Sequence, residues 1–164
     1  MLIKSLLSSG VEAALNEAVA SELYASHLYK HIANQLQRLG YFGGQKWFAK
    51  ESADELVHYQ RLADYLNDRG TTAKIPQLEA CTEKIGSLRD ALELAFETER
   101  DLGANYARWY RGAAEDPTTQ QFLHFYLEQQ RTSVGEYMDW LTRLQRVDDD
   151  SCGILMIDKE LGEA

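Results

Sequence analysis

The chain has 164 residues and a net charge of −9, with only two prolines and two cysteines. This length suits one domain with a sizeable core, and no Ser/Pro-rich linker divides the chain, so we expect a single domain over residues 1–164. The acidic balance and the lack of a Lys/Arg-rich run argue against nucleic acid or an anionic membrane as a partner, and they are compatible with attraction of small cations.

The cysteines and the apolar runs indicate the cellular compartment of the protein. Cys81 and Cys152 stand alone, which excludes a Cys-x-x-Cys motif and favours a reducing environment. The stretch MLIKSLLSSG contains an apolar run too short for a signal-peptide core, and no run reaches transmembrane length. We therefore expect a cytoplasmic protein without a membrane segment.

Four long segments carry apolar residues at helical spacing, which predicts four helices. The segments run from about Val11 to Leu39, from Gln45 to Arg69, from Ser87 to Ala114 and from Thr118 to Arg146. The stretch GYFGG at 40–44 separates the first two, and EDP at 115–117 separates the last two, with Asp116 suited to capping and Pro117 to a first helical turn. Joints this short make the joined helices antiparallel neighbours.

The middle connection, residues 70–86, is a run of seventeen residues without periodicity. Extended chain of that length covers about 55 Å, whereas a helix of 25 residues is about 38 Å long, so the segment can cross the whole bundle. It then makes the second and third helices parallel. Further on, the apolar stretch Ile154–Ile157 predicts a brief fifth helix. The predicted fold is all-α, a four-helix bundle with one long crossover between helices 2 and 3 and a short C-terminal fifth helix.

Each of the four long helices carries a polar residue within its apolar stripe. Seven-residue steps place Glu22 on the first helix, Glu55 with His58 on the second, Glu99 on the third and Gln130 on the fourth. In an antiparallel hairpin two residues are level when the turn lies midway between them, and this holds for Glu22 with Glu55 and for Glu99 with Gln130. We therefore expect one mid-bundle cluster of three carboxylates, one imidazole and one amide.

Such a cluster needs a cation, because burying like charges costs several kcal/mol per ion and no facing stripe position is Lys or Arg. Carboxylates with one imidazole suit iron, manganese or zinc, and Glu55 is placed to bridge two ions. A lone Glu-x-x-His is more often a solvated face, and only the coincidence of four helices favours the metal site. Tyr29 and Tyr106 are by default core aromatics with a hydrogen-bonded hydroxyl, although Tyr29 beside the metals is an alternative electron donor. We expect five further polar residues to lie on solvated faces of their helices, namely Glu51, Asp54, His27, His31 and His124.

The residues resemble those of non-haem, prokaryotic-type ferritins over nearly the whole chain. The resemblance rests on LNEAVASELYASHLY, ESADELVHYQRLADYLNDRG, the crossover, ETER, FLHFYLEQQ and the tail GILMIDKEL. It implies a ferroxidase site in which Glu22, Glu55 and His58 hold a first iron, Glu55 and Glu99 hold a second, and Gln130 and Tyr29 lie nearby. Two irons per subunit and no haem are implied.

Departures from related families support the ferritin resemblance. Bacterioferritins, rubrerythrins and di-iron oxygenases carry a second Glu-x-x-His on the fourth helix, where this chain has Gln130 and Ser133. A bacterioferritin would also have a haem-ligating methionine where Leu56 stands. Some prokaryotic ferritins have a third iron site, and the matching positions in this chain are Asp54, Gln129, Thr132 and Ser133. The three matching residues on the fourth helix are uncharged, which argues against a third iron site here.

Three hypotheses follow for function. The resemblance implies an iron-storage protein with ferroxidase activity, which oxidises Fe(II) with O2 or peroxide, deposits Fe(III) mineral in a hollow cage of 24 copies, and packs Ile154–Ile157 at a four-fold axis. The first alternative is a di-iron oxidase of the rubrerythrin or bacterioferritin type, acting on an organic substrate without mineral storage. The second is a purely structural helical bundle whose buried acids are protonated or hydrated.

Overall fold

The computed structural model describes residues 4–164, and within that range the chain forms five helices and no strand. The helices are α1 Ser9–Leu39, α2 Phe42–Asp68, α3 Leu88–Gly112, α4 Pro117–Val147 and α5 Ser151–Leu161. The predicted all-α fold is confirmed. The fifth helix has 11 residues and extends well beyond the apolar stretch that predicted it. Among the described residues, none of the helices is long and apolar enough to cross a membrane.

Side-chain caps fix the start of four helices. In each case a hydroxyl or carboxylate accepts a hydrogen bond from the backbone N–H three residues further on, and the capping residues are Ser8, Ser87, Asp116 and Asp150. The predicted cap at Asp116, followed by Pro117, is present. Gly40 ends α1 in the left-handed conformation, with φ at 86°, which an L side chain rarely adopts.

The start of α2 differs from the prediction. The helix begins at Phe42 rather than Gln45, so Gly43 and Gly44 are helical residues rather than turn residues. Their backbone N–H groups donate to the Asp158 carboxylate of α5 at 3.1 and 2.7 Å. Asp158 thus supplies the cap that α2 lacks locally, and a cap from another helix leaves no signal in the neighbouring sequence.

The crossover runs along α1. Near its beginning, Lys74 N–H donates to Asn16 Oδ1 at 2.7 Å, and near its end Ile85 N–H donates to Gln35 Oε1 at 3.0 Å. The segment therefore travels from the first part of α1 to the last part. This brings the start of α3 to the end of the bundle where α2 starts, so α2 and α3 are parallel, as predicted.

The core is divided into two apolar clusters, and all four long helices pass from one to the other. On α1 the division falls between Val19 and Ala25, and on α2 it falls between Phe48 and Leu62. On α3 it falls between Ala95 and Leu102, and on α4 between Tyr126 and Tyr137. Each gap contains one of the polar residues singled out by the seven-residue steps. The apolar clusters hold the four helices in register around a polar layer at mid-bundle.

Candidate metal centre

The polar layer is almost completely shielded from solvent. Its four residues are 0–4 % exposed, and they are Glu22, Glu55, Glu99 and Gln130. His58, one turn beyond Glu55 on α2, retains 16 % exposure of its side chain. Acidic side chains are rarely buried to this extent without a charged partner or a metal ion.

Three potential ligands converge from α1 and α2. His58 Nδ1 lies 2.9 Å from Glu55 Oε2 and 3.7 Å from Glu22 Oε2. One ligand atom from each of the three residues lies within 4.8 Å of the others. Two ligands that each sit about 2.1 Å from an ion are at most about 4.2 Å apart, so small side-chain shifts suffice to coordinate a divalent cation.

Two tyrosines connect the carboxylates of α1 and α3 in a reciprocal arrangement. The Tyr29 hydroxyl of α1 donates to Glu99 of α3, and the Tyr106 hydroxyl of α3 donates to Glu22 of α1. In both helices the tyrosine follows the glutamate by seven residues, and the helices are antiparallel, so each tyrosine lies level with the opposite carboxylate. These two hydrogen bonds fix one oxygen of the Glu99 carboxylate and one oxygen of the Glu22 carboxylate.

Three other oxygens of the layer lack protein partners. Of the four buried side-chain oxygens without a hydrogen-bond donor among the described residues, three belong to the polar layer, namely Glu22 Oε2, Glu99 Oε2 and Gln130 Oε1. A buried acceptor without a donor costs about 1–3 kcal/mol, and more when it is charged. Unpartnered oxygens beside an imidazole are the ligand set that borderline divalent metals such as iron favour, so these residues fit a metal ion.

Burial and mutual repulsion hold protons in the layer when no cation is bound. Burial raises the pKa of Glu55 well above its ordinary value. Burial also raises the pKa of Glu99 to about 7, against the opposing effect of Tyr29. Burial disfavours the His58 imidazolium, but hydrogen bonds and charge from Glu22 and Glu55 outweigh this and raise the pKa of His58 to about 10. Protons thus occupy positions from which a metal ion displaces them.

The structure brings the predicted site residues to one level of the bundle. Glu22, Glu55 and His58 form the tight cluster, while Glu99 stands outside it, close enough for its charge to act on Glu55, and accepts a hydrogen bond from Tyr29. Gln130 lies beside Glu99. The division of these residues between two iron ions stays a prediction.

Two expectations of solvated faces are wrong. Glu51 is half-buried, accepts a hydrogen bond from the Tyr137 hydroxyl at 3.3 Å, and has a pKa raised by burial. His31 is also half-buried, and its Nε2 lies 2.8 Å from the Glu83 carbonyl oxygen of the crossover. Both residues lie at helix edges covered by a neighbouring element, which periodicity on one helix does not reveal. The other three are exposed as predicted, namely Asp54, His27 and His124.

Sequence reasoning missed how two tyrosines support the site. The prediction of Tyr106 as a core aromatic with a hydrogen-bonded hydroxyl is confirmed, but its partner, the Glu22 carboxylate, is not predicted. The available signal was its position seven residues after Glu99, which repeats the spacing of Tyr29 after Glu22. Tyr126 donates to the His58 carbonyl oxygen at 2.8 Å, and its ring lies edge-on to the imidazole, which orients His58.

The fold and the buried carboxylate–histidine layer define a ferritin-like bundle, and comparison with known proteins agrees. The sequence model of the ferritin-like domain matches residues 12–147. A probable bacterial non-haem ferritin-like protein of Haemophilus influenzae is 29 % identical over 159 residues, covering 96 % of each chain. A bacterial non-haem ferritin of Bacteroides fragilis is 28 % identical over 160 residues, covering 96 % of this chain and 99 % of its own.

Solved structures give the same result. An open-pore ferritin of the hyperthermophilic archaeon Archaeoglobus fulgidus superimposes with a TM-score of 0.93 at 25 % identity, covering 96 % of this chain and 98 % of its own. The chain belongs to the ferritin-like domain family. Its relatives group it with the non-haem ferritins of prokaryotes, and the resemblance noted from its sequence is confirmed.

Proposed function

We propose that the protein is an iron-storage ferritin with ferroxidase activity, which oxidises Fe(II) at the mid-bundle centre and retains the Fe(III) product as mineral. The observation that carries this proposal is the convergence of Glu22, Glu55 and His58 within 4.8 Å beside buried, unpartnered carboxylate oxygens. Membership of the ferritin family and the names of the non-haem ferritin relatives support it.

The proposed ligands divide between two iron ions per subunit. Glu22, Glu55 and His58 hold the first, and Glu55 and Glu99 hold the second, with Glu55 shared. Anionic ligands favour Fe(III) over Fe(II), so the carboxylates assist the loss of one electron from each iron to O2 or peroxide. Gln130 offers a neutral oxygen beside the second iron, and Tyr29 holds Glu99 in place. No haem is expected.

Storage requires an assembly, and we propose a hollow cage of 24 copies in the cytoplasm, each copy acting as one domain over residues 1–164. The match to the ferritin and ferritin-like relatives covers nearly the whole length of those proteins. On α5, Leu155 and Met156 are 54 % and 65 % exposed in the isolated chain, which suits burial against other copies.

The experiment is aerobic addition of Fe(II) to the purified protein while O2 uptake, ferric absorbance and light scattering are followed. Glu55→Gln keeps the size of the shared ligand and removes its charge, and Glu97→Gln makes the same change at an exposed position of α3. We expect Glu55→Gln to slow oxidation by about 10²-fold or more, and Glu97→Gln to match the wild type.

The outcomes separate the three hypotheses. A large particle that oxidises iron and retains it supports storage. Uptake of O2 only with an organic substrate, without retained iron, supports the oxidase alternative. A small oligomer that neither binds nor oxidises iron contradicts the proposal and leaves a structural bundle.

A further inference from the structure

The aromatic side chains on the Glu22 side of the metal centre reach from a proposed ligand to the protein surface. The Tyr106 hydroxyl donates to Glu22, and the Tyr106 ring meets the Trp109 ring edge-on, with the ring centroids 5.0 Å apart. The Trp109 Nε1–H group donates to Glu17 Oε2 of α1 at 3.0 Å. The Glu17 side chain is 55 % exposed, so two rings connect the buried carboxylate with solvent on the α1 and α3 side of the bundle.

No such path of oxidisable rings leaves the opposite side of the centre among the described residues. The Tyr29 hydroxyl donates to Glu99, but the Tyr29 ring packs on Phe48, with 5.8 Å between the centroids. Phenylalanine is far harder to oxidise than tyrosine or tryptophan, so a path that begins at Glu99 is interrupted at Phe48. Tyr126 also stacks on Tyr106, at 4.7 Å, but its further ring neighbours are harder to oxidise than an indole, namely His58, Phe122 and Phe125.

The proposed ligands favour a state in which one iron is bound. Glu22, Glu55 and His58 converge within 4.8 Å. The second iron would have only Glu99, the shared Glu55 and the neutral amide of Gln130, so the first position fills before the second when Fe(II) is scarce. Hydrogen peroxide needs two electrons and two protons to become two water molecules, and one Fe(II) supplies one electron. Without a further electron the peroxide yields hydroxide and a hydroxyl radical, which attacks protein.

We propose that Tyr106 and Trp109 form an electron relay, which delivers the missing electron from the α1 and α3 surface when a centre with one iron reduces peroxide. The proposal deepens the proposed function and rests on it, because the oxidant is reduced at the same centre. It makes Trp109 the surface end of the relay and Tyr106 the end that touches a proposed ligand.

Each step of the relay balances in electrons and protons. The peroxide takes one electron from the bound Fe(II) and one from Tyr106, whose hydroxyl proton passes to Glu22. Trp109 then gives an electron to Tyr106, which recovers its proton from Glu22, and the Trp109 Nε1 proton passes to Glu17. A second Fe(II) at the surface reduces Trp109, which recovers its proton from Glu17, and becomes Fe(III). In sum, one H2O2, two Fe(II) and two protons from the solvent give two Fe(III) and two H2O.

The surroundings of the two rings suit this role. Tyr106 and Trp109 are 0 % and 3 % exposed, so their oxidised forms are shielded from solvent. A carboxylate accepts the hydrogen bond from the Tyr106 hydroxyl and another accepts that from Trp109 Nε1, so each proton that leaves has a base in contact. Loss of the Nε1 proton also keeps Trp109 uncharged beside the Arg108 guanidinium, which lies 5.6 Å from its ring centroid.

The test is rapid-freeze electron paramagnetic resonance of the full-length protein, loaded with one Fe(II) per subunit and mixed anaerobically with hydrogen peroxide. Samples are made with ordinary tryptophan and with ring-deuterated tryptophan. We expect an organic radical whose hyperfine splitting narrows when tryptophan is deuterated. Trp109→Phe is expected to lose this signal and to leave a radical that responds to deuterated tyrosine instead.

Trp47→Phe is the matched control. Trp47 is also buried, at 7 % exposed, but it contacts the rings of Tyr137 and Trp140 rather than a ring bonded to a proposed ligand. Trp47→Phe and Trp140→Phe are both expected to keep the tryptophan signal. The chain has three tryptophans, so a signal that survives both substitutions belongs to Trp109, even if circular dichroism shows that Trp109→Phe does not fold.

Trapping of hydroxyl radicals gives a second readout. At one Fe(II) per subunit, Tyr106→Phe is expected to release several-fold more hydroxyl radical than the wild type. The excess should disappear at two Fe(II) per subunit, because the second iron then supplies the electron. Anaerobic titration with Fe(II) separates this effect from weaker iron binding, which is what a purely structural role of Tyr106 would change.

The outcomes separate the relay from the proposed function. A wild type that binds Fe(II) and consumes peroxide without a tryptophan radical overturns the relay, as does a tryptophan signal that survives in Trp109→Phe. If the wild type binds no Fe(II), or Glu55→Gln binds it as tightly, the proposed function fails and the relay falls with it.

Discussion

The Tyr106 hydroxyl of α3 donates to the Glu22 carboxylate of α1, and both side chains are completely buried. Tyr29 and Glu99 form the reciprocal pair between the same two helices. No short loop joins α1 to α3. The two hydrogen-bonded pairs therefore connect these helices across the bundle at the level of the centre. The arrangement fixes carboxylate orientation before any metal binds, which lowers the cost of assembling the ligands.

We expect Tyr106→Phe and Tyr29→Phe each to lower the free energy of unfolding of the metal-free protein by about 1–3 kcal/mol, because each leaves a buried carboxyl oxygen without its donor. Chemical unfolding measures this. Tyr65→Phe is the matched control, since it removes a half-buried hydrogen bond to Thr119 at 2.8 Å outside the centre. The loss of unfolding free energy in Tyr65→Phe should be the same with and without bound metal.

If Tyr29 also donates an electron, Tyr29→Phe slows iron oxidation more than Tyr106→Phe does. Equal oxidation rates in the two variants, with two irons bound per subunit, would mean that both tyrosines only hold the carboxylates in place during that reaction.

The contact between α2 and α5 predicts a large effect of one added methyl group. A Cβ on Gly43 would lie 1.6 Å from the Asp158 carbonyl oxygen, so Gly43→Ala forces α5 away from α2. Asp158→Ala removes the cap of α2 and is expected to cost about 1–2 kcal/mol, with Gly43→Ala costing more.

Gly135 provides the control, because nothing lies within 4 Å of a Cβ added there. Gly135→Ala is expected to be neutral or to stabilise the helix by up to about 1 kcal/mol. Unfolding curves and particle size report both effects. A Gly43→Ala protein as stable as Gly135→Ala would show that α5 does not dock as described.

The stability of the metal-free protein should fall as the pH rises. The pKa values of Glu55, Glu99 and His58 are all raised in the folded chain, so folding binds protons. This stabilisation is complete below the unfolded values of 4.5 and 6.5 and is lost as the pH rises, through about 7 for Glu99 and about 10 for His58.

We expect the melting temperature of metal-free protein to fall by roughly 3–8 °C between about pH 5.5 and about pH 8.5. Bound metal replaces the protons and should remove or reverse this trend. In Glu99→Gln the metal-free trend should be weaker. A melting temperature that rises with pH in the metal-free protein is the contrary result.

Periodicity predicted the parts of the structure that depend on a single helix or hairpin. The seven-residue steps located Glu22, Glu55, Glu99 and Gln130, and these residues do lie in the gap between the apolar clusters. Helix ends with local caps, such as Asp116, were also predictable. The signal is strong because each of these features is determined by residues close in sequence.

Contacts between distant segments were not predictable in the same way. The Asp158 cap joins residues separated by 114 and 115 positions, and the burial of Glu51 depends on Tyr137 of α4. The Tyr106–Glu22 pair depends on how the two hairpins pack, which the turn midpoints leave undetermined. Such contacts are set by tertiary packing rather than by local periodicity.

The location of iron in the protein itself tests the proposed ligands most directly. Crystals soaked anaerobically in Fe(II) would be measured with X-rays on either side of the iron absorption edge. We expect two anomalous peaks per chain, one among Glu22, Glu55 and His58 and the other between Glu55 and Glu99. Glu55→Gln should lose both. An ordered centre without iron, with the metal bound only at surface carboxylates, would contradict this expectation.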